Sequence, residues 1–364
     1  MYLKLAILSL LQATFFQNTE TTIVSCYYES WLFEKFAPED IDVSICTHIN
    51  YAFLGIHPNG TFRLDGSEDI LKRLGALKSL NPDLKLLISV GGWAEGSTTF
   101  SEVAADADKK KTAAESALYY MQTYDFDGID LDWEYPGERG GTPADKENFI
   151  DMLTVIREVF DQNGGGLVTA AVWAIPQKSS YNVNSLSKIV DYINVMTYDL
   201  HSSADNKTGE NSPLYPSSSD SDWERENTNC DASINNWLNS GADPTKLVLG
   251  LGFYGKTYEL ADPGEHTVGA PTVGPGVGGG GLGYPEICQL TDWTEAWDDE
   301  QQVPYKYKGN QWVGYDDPKS IGLKVQYAKE RNLGGVMMWA VDIDDKDGVC
   351  GEKNPLLNAI KNNL

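Results

Sequence analysis

The stretch Asp127-Gly128-Ile129-Asp130-Leu131-Asp132-Trp133-Glu134-Tyr135-Pro136 decides how the rest of the chain is read. As a strand it alternates strictly: Asp130, Asp132 and Glu134 share one face, while Ile129, Leu131 and Trp133 share the other. The apolar set needs a covering layer such as a helix. That leaves three carboxyl groups lined up inside a sheet or barrel, about 6 to 7 Å apart in steps of two residues. Three such groups cannot all ionise without large repulsion, so at least one is expected to hold a proton near neutral pH. A protonated acid beside ionised neighbours is what general acid catalysis requires. Competing readings are a solvated edge strand, a metal-binding Asp-x-Asp pair or a calcium loop. The last wants Gly at its sixth position, where counting from Asp130 gives Tyr135. Pro136 is expected to end the strand just past Glu134, which puts Glu134 at the carboxyl end, where barrel enzymes keep their chemistry.

The run DGIDLDWEYP resembles the Asp-x-x-Asp-x-Asp-x-Glu signature of glycoside hydrolase family 18, in the animal chitinase type. The resemblance extends over nearly the whole chain after its first residues. It implies a (β/α)8 barrel, a secreted chitinase acting on chitin and chitooligosaccharides, and Glu134 as proton donor, with Asp132 and Asp130 assisting.

Residues 1–17 hold one cation, Lys4, an apolar run from Leu5 to Leu11 and no acid, the pattern of a secretory signal peptide. The run is too short to span a membrane. About 345 residues remain, enough for two average domains or one large barrel with an insertion. Fifty-three acids against 28 bases give a charge of -25, which argues against nucleic acid or anionic membrane as partners. Chitin, neutral to weakly cationic, suits that balance; the charge serves solubility equally well. Five cysteines in a secreted chain suggest two disulfides and one free thiol, with no C-x-x-C spacing for zinc. Spacing alone does not set the pairing. The family resemblance implies Cys26 with Cys46 and Cys288 with Cys350, leaving Cys230 free. Asn59 and Asn206 begin glycan acceptor triplets.

Apolar strand-like runs fall at 22–28, 48–54, 85–90, 128–134, 167–173, 192–198, 247–254 and 335–339, with helical patterns at 67–80, 102–124, 144–162, 231–239, 320–331 and 355–361. Eight strands alternating with helices argue for an α/β fold of the (β/α)8 kind. More than sixty residues between the seventh strand and the next helix exceed any ordinary loop. They are read as a small α+β insertion over 256–316, within a catalytic domain of 18–364. A G-x-G-x-x-G match beginning at Gly274 lacks a preceding strand and following helix, so it is read as a flexible loop and not a nucleotide site. No linker-rich or cysteine-dense tail follows, so no separate chitin-binding domain is expected.

Aromatic residues Tyr27, Trp31, Phe53, Trp93, Tyr135, Tyr198, Tyr254 and Trp339 fall near strand carboxyl ends, where their rings can stack on the C–H faces of sugars. Core packing is the plain alternative for each. The resemblance covers several of them. Ser89-Val90-Gly91-Gly92-Trp93 is similar to the family's third-strand motif. Met196-Thr197-Tyr198-Asp199 is similar to its sixth-strand motif, which implies that Tyr198 and Asp199 hold the acetamide and the ring. Met337-Met338-Trp339 is similar to its eighth-strand motif, which implies Trp339 as floor of the cleavage-site sugar. In Tyr254-Gly255-Lys256 a lysine stands where the family carries arginine, so only a point charge is available there. His48, His57, His201 and His266 show no ligand spacing, and no G-x-S-x-G elbow is present. No cofactor or metal is expected, and the protein is expected to be a monomer. The alternatives are a non-catalytic chitin-binding lectin or growth-factor-like relative, in which the acid at the position of Glu134 is usually replaced, and an endoglycosidase acting on N-glycans.

Overall fold

The computed structural model describes residues 22–177 and 179–364. The signal-peptide reading of residues 1–17 lies outside these. Eight parallel strands, Ile23–Glu29, His48–Ile56, Lys85–Gly91, Gly128–Asp132, Leu167–Trp173, Tyr192–Met196, Leu247–Gly252 and Gly335–Trp339, pair in sequence order. The ring closes where the first strand pairs with both the second and the eighth. A short strand, Phe62–Leu64, folds back antiparallel on the second. The strands are buried on both faces, as a barrel wrapped in helices requires. Outward residues such as Ile129, Leu131 and Trp133 join the apolar layer beneath helices Ala107–Tyr124 and Asp145–Gln162. A separate cluster, which includes Tyr27, Leu87, Ala171, Val248 and Met337, fills the barrel.

Several sequence boundaries shift for local reasons. The helical pattern over 102–124 is two helices, Thr98–Ala104 and Ala107–Tyr124, because the Asp106 carboxylate caps the second by accepting from the Asp108 and Lys109 amides. A helix absent from the sequence reading, Asp222–Asn227, opens with a capping box in which Ser221 and Glu224 each accept from the other's amide. The fourth strand ends at Asp132, so Glu134 lies beyond the last paired residue and not inside the strand as expected. Likewise the seventh strand ends at Gly252, and Tyr254 opens the next sheet.

That sheet has six strands, Tyr254–Leu260, Thr272–Pro275, Gly281–Gly283, Thr294–Asp298, Val303–Lys308 and Gln311–Gly314, all antiparallel, with the short helix Tyr284–Cys288. It forms the insertion between the seventh strand and helix Pro318–Glu330. The glycine run expected to be a loop instead supplies two short strands along the edge of Tyr254–Leu260. A Cβ at Gly276 would lie 2.7 Å from the Tyr258 backbone nitrogen, so the absence of a side chain there permits the close approach. Disulfides join Cys26 to Cys46 and Cys288 to Cys350, and Cys230 is a buried free thiol.

Candidate active site

Four acids share the fourth-strand signature, but they do different work. Asp127, at the strand's entry, accepts from the Leu86 amide and pairs with Lys78 at 3.0 Å, so it ties the strand start to its neighbour. Asp130 is fully buried inside the barrel. Its Oδ2 accepts from the Tyr27 hydroxyl at 2.7 Å and the Ser89 hydroxyl at 2.8 Å. Its Oδ1 accepts from the Thr169 hydroxyl at 2.6 Å and the Asn194 amide at 3.3 Å. These donors come from the first, third, fifth and sixth strands. Burial raises the Asp130 pKa and the four donors oppose it. Four acceptor sites are what a carboxylate offers, so this arrangement suits an ionised Asp130.

Asp132 is its opposite. It is 3% exposed, and its Oδ1 is buried with no hydrogen-bond partner among the described residues. Burial first, then the charges of Glu134 and Asp130, push its pKa well above the usual carboxylate range. With no donor on its Oδ1 against four on Asp130, Asp132 supports the protonated form better than Asp130 does. For Asp130 to accept the proton, one of its four donors must release or reverse.

Glu134, 8% exposed, closes the row. Burial raises its pKa to about 7, while hydrogen bonding to Tyr135 and the charge of Arg139 act against the rise. Arg139 had no signal in the sequence. Its Nη1 donates to the carbonyls of Glu134 at 3.0 Å and Trp93 at 2.9 Å, and its guanidinium lies 3.6 Å over the Trp93 ring.

The wall opposite is built on the sixth strand. Tyr198 is buried among Met337 and the barrel interior, and its hydroxyl lies 3.8 Å from the Met337 sulfur. Burial and the Asp132 charge hold this phenol far above its usual pKa, so it keeps its proton and remains a donor. Asp199 sits at φ 55°, and its amide donates to Asn211 Oδ1 at 3.1 Å. Its own Oδ1 accepts from the Tyr254 hydroxyl at 2.5 Å and pairs with Lys256 at 2.7 Å. The lysine thus makes one contact, and a tyrosine hydroxyl supplies a second donor on the same oxygen.

Trp339 stacks on Phe53, centroids 5.5 Å apart at 16°, and lies 6.3 Å from Trp31. Trp31 and Trp93 are 56% and 62% exposed, which is unusual for such large apolar rings. Tyr135 stacks on Trp173 at 4.9 Å and 12°; Trp173 was not among the expected residues. Gly91 and Gly92 adopt φ of 115° and 79°. A Cβ at Gly92 would lie 2.5 Å from the Phe53 ring, so the glycine lets that ring reach its place. Met196, half-buried, packs against the barrel cluster. Tyr27 and Met337, expected as contact residues, are 1% and 0% exposed and sit in the barrel interior. Tyr27 still matters, because its hydroxyl donates to Asp130. His201 is buried beside Asp205, 3.5 Å away, and stands apart from the acid row in the sequence. Asn59 and Asn206 are both exposed.

Removing the Trp339 ring takes away the stacking surface at the mouth. Burial of one large side chain is worth about 1.5–3 kcal/mol, so Trp339→Ala is expected to weaken oligomer binding roughly ten- to a hundredfold. The variant should remain folded by circular dichroism, because the ring is only partly buried. Unchanged affinity in a folded variant would assign Trp339 to packing alone.

The pattern of the family Glycosyl hydrolases family 18 matches residues 23–344. Mouse Chitotriosidase-1 is 37% identical over 365 aligned residues, 93% of this chain and 77% of that protein. The Ostrinia furnacalis Group IV chitinase solved with allosamidin superposes with a TM-score of 0.90 at 39% identity, covering 94% of this chain and 98% of that one. Human YKL-39, described as a pseudo-chitinase with retained chitooligosaccharide binding, superposes at 0.88 with 34% identity, covering 94% and 99%.

Proposed function

Because the chain belongs to glycosyl hydrolase family 18, we propose that it hydrolyses the β-1,4 bonds between N-acetylglucosamine units of chitin and chitooligosaccharides. It is a glycoside hydrolase, a chitinase. The observation that carries this reading is Glu134: a buried acid whose pKa is raised to about 7, at the end of a row of carboxyl groups and beside a mouth lined by Trp31, Phe53 and Trp339.

In this reading Glu134 protonates the leaving oxygen. Asp132 holds the substrate's acetamide N–H through its unpartnered oxygen, and Tyr198 donates to the acetamide carbonyl. The acetamide oxygen then attacks the anomeric carbon and forms an oxazolinium ion, which water opens with Glu134 acting as base; the product keeps its β configuration. Family 18 enzymes are substrate-assisted exceptions to the two-carboxylate scheme. Asp199, held by Lys256 and Tyr254, orients the sugar. The same fold serves non-catalytic binders, and the retained Glu134 argues against that role here.

Secretion is supported by the leader pattern of residues 1–17 and by two disulfides. Among the described residues no helix is long and apolar enough to cross a membrane. We propose a monomer, with glycans on Asn59 and Asn206.

The pH profile tests the acid. Glu134 must be protonated to donate, and its raised pKa extends the protonated form up to about 7. Activity on chitotriose, as kcat/KM, is therefore expected to hold below that value and fall tenfold per pH unit above it. A profile flat to pH 9 would remove Glu134 from the donor role.

A further inference from the structure

The insertion carries a second cleft whose lining shares no residue with the acid row or the Trp339 wall. Its volume is about 530 Å³, within the roughly 300 to 1,000 Å³ of small-molecule sites. Tyr305 and Tyr307, two apart on strand Val303–Lys308, take the same face of the sheet and line the cleft side by side, centroids 6.2 Å apart at 28°. His266 stacks on Tyr307 at 4.0 Å and 19°. Beneath them Tyr305 stacks on the buried Trp312, whose indole N–H donates to the His266 carbonyl at 3.0 Å. Ser219, Glu265 and Thr267 contribute to the lining.

The cleft is held open by its frame. The loop that carries His266 is tied to the segment after the sixth barrel strand: the Thr208 amide donates to the Ala270 carbonyl at 2.8 Å, and the Gly269 amide to the Thr208 carbonyl at 3.0 Å. A ligand would therefore meet a formed surface and lose little affinity to loop ordering.

We propose that this cleft is a second binding site for N-acetylglucosamine oligomers, an inference that rests on the chitinase reading above. The lining contains three partly exposed rings, His266, Tyr305 and Tyr307, for the C–H side of a sugar and neutral polar groups for its hydroxyls and acetamide. It contains no Lys or Arg, and with Glu265 on its rim in a chain of charge -25 it repels phosphates and carboxylates. A polymer bound there keeps other parts of the same strand near the barrel mouth, which raises their effective concentration.

The test uses chitotetraose as probe on the slow Glu134→Gln background, by titration calorimetry. Two classes of site are expected, and Tyr307→Ala should abolish the weaker one. Ser219→Trp, which fills the cleft from its exposed rim without removing a packed ring, should do the same. In the active enzyme both changes should lower partition onto insoluble chitin roughly two- to tenfold, the range that one aromatic contact supplies, with chitotriose turnover unchanged. A single class of site, with partition unaltered in both variants and turnover intact, overturns the second site alone. Absence of chitotriose turnover in the unmodified enzyme counts against the chitinase reading instead.

Discussion

Glu134→Gln is expected to lower turnover of chitotriose by about 100- to 10,000-fold, the usual loss on removing a general acid, while oligomers still bind. The substitution keeps the shape of a side chain that is 8% exposed, so the mouth and its aromatic wall should be undisturbed. What changes is the proton: an amide cannot release one to the leaving oxygen. Stability offers an internal control. The folded pKa is raised from 4.5 to about 7, so the glutamate's contribution is full below its unfolded value and is lost as pH rises through 7. Glutamine removes that loss, so the variant should unfold at least as late as the unmodified protein at pH 8. Turnover near the original rate in the folded variant would mean that another group supplies the proton.

The second large effect needs no mutation. Removing the acetyl group from the sugar at the cleavage point is expected to reduce hydrolysis of that bond by about 1,000-fold or more, because well-oriented internal groups reach effective molarities of about 10⁵ to 10⁸ M. Asp130 is a poor candidate for nucleophile, since all four of its acceptor sites are already engaged. Asp132 is little better. Its pKa is pushed up by burial and by two neighbouring carboxyls, which favours the protonated form over a nucleophilic anion. An attacking group supplied by the substrate resolves the difficulty. NMR of fresh products from acetylated and selectively deacetylated oligomers reads both the bond cleaved and the anomer released. Rapid cleavage beside a deacetylated sugar, or the α-anomer, would return the role to a protein carboxylate or to activated water.

The sequence by itself determined the features that depend on near neighbours. Alternation with a period of two placed Asp130, Asp132 and Glu134 on one face, and the spacing of apolar runs marked all eight barrel strands. The overlong interval after the seventh strand announced the insertion. Helix Asp222–Asn227 was missed, although its Ser221–Glu224 capping box stands in the sequence. Other features needed the closed barrel. Tyr27, Ser89, Thr169 and Asn194 reach Asp130 from 103, 41, 39 and 64 residues away, and no local pattern records that they converge. Trp173 beneath Tyr135, Arg139 between Trp93 and Glu134, and Asn211 beside Asp199 are of the same kind. Only the tertiary structure decided which carboxyl is satisfied and which is left with a free oxygen. That difference is set by desolvation and by donors from separate strands, and both come into being only when the barrel closes around the row.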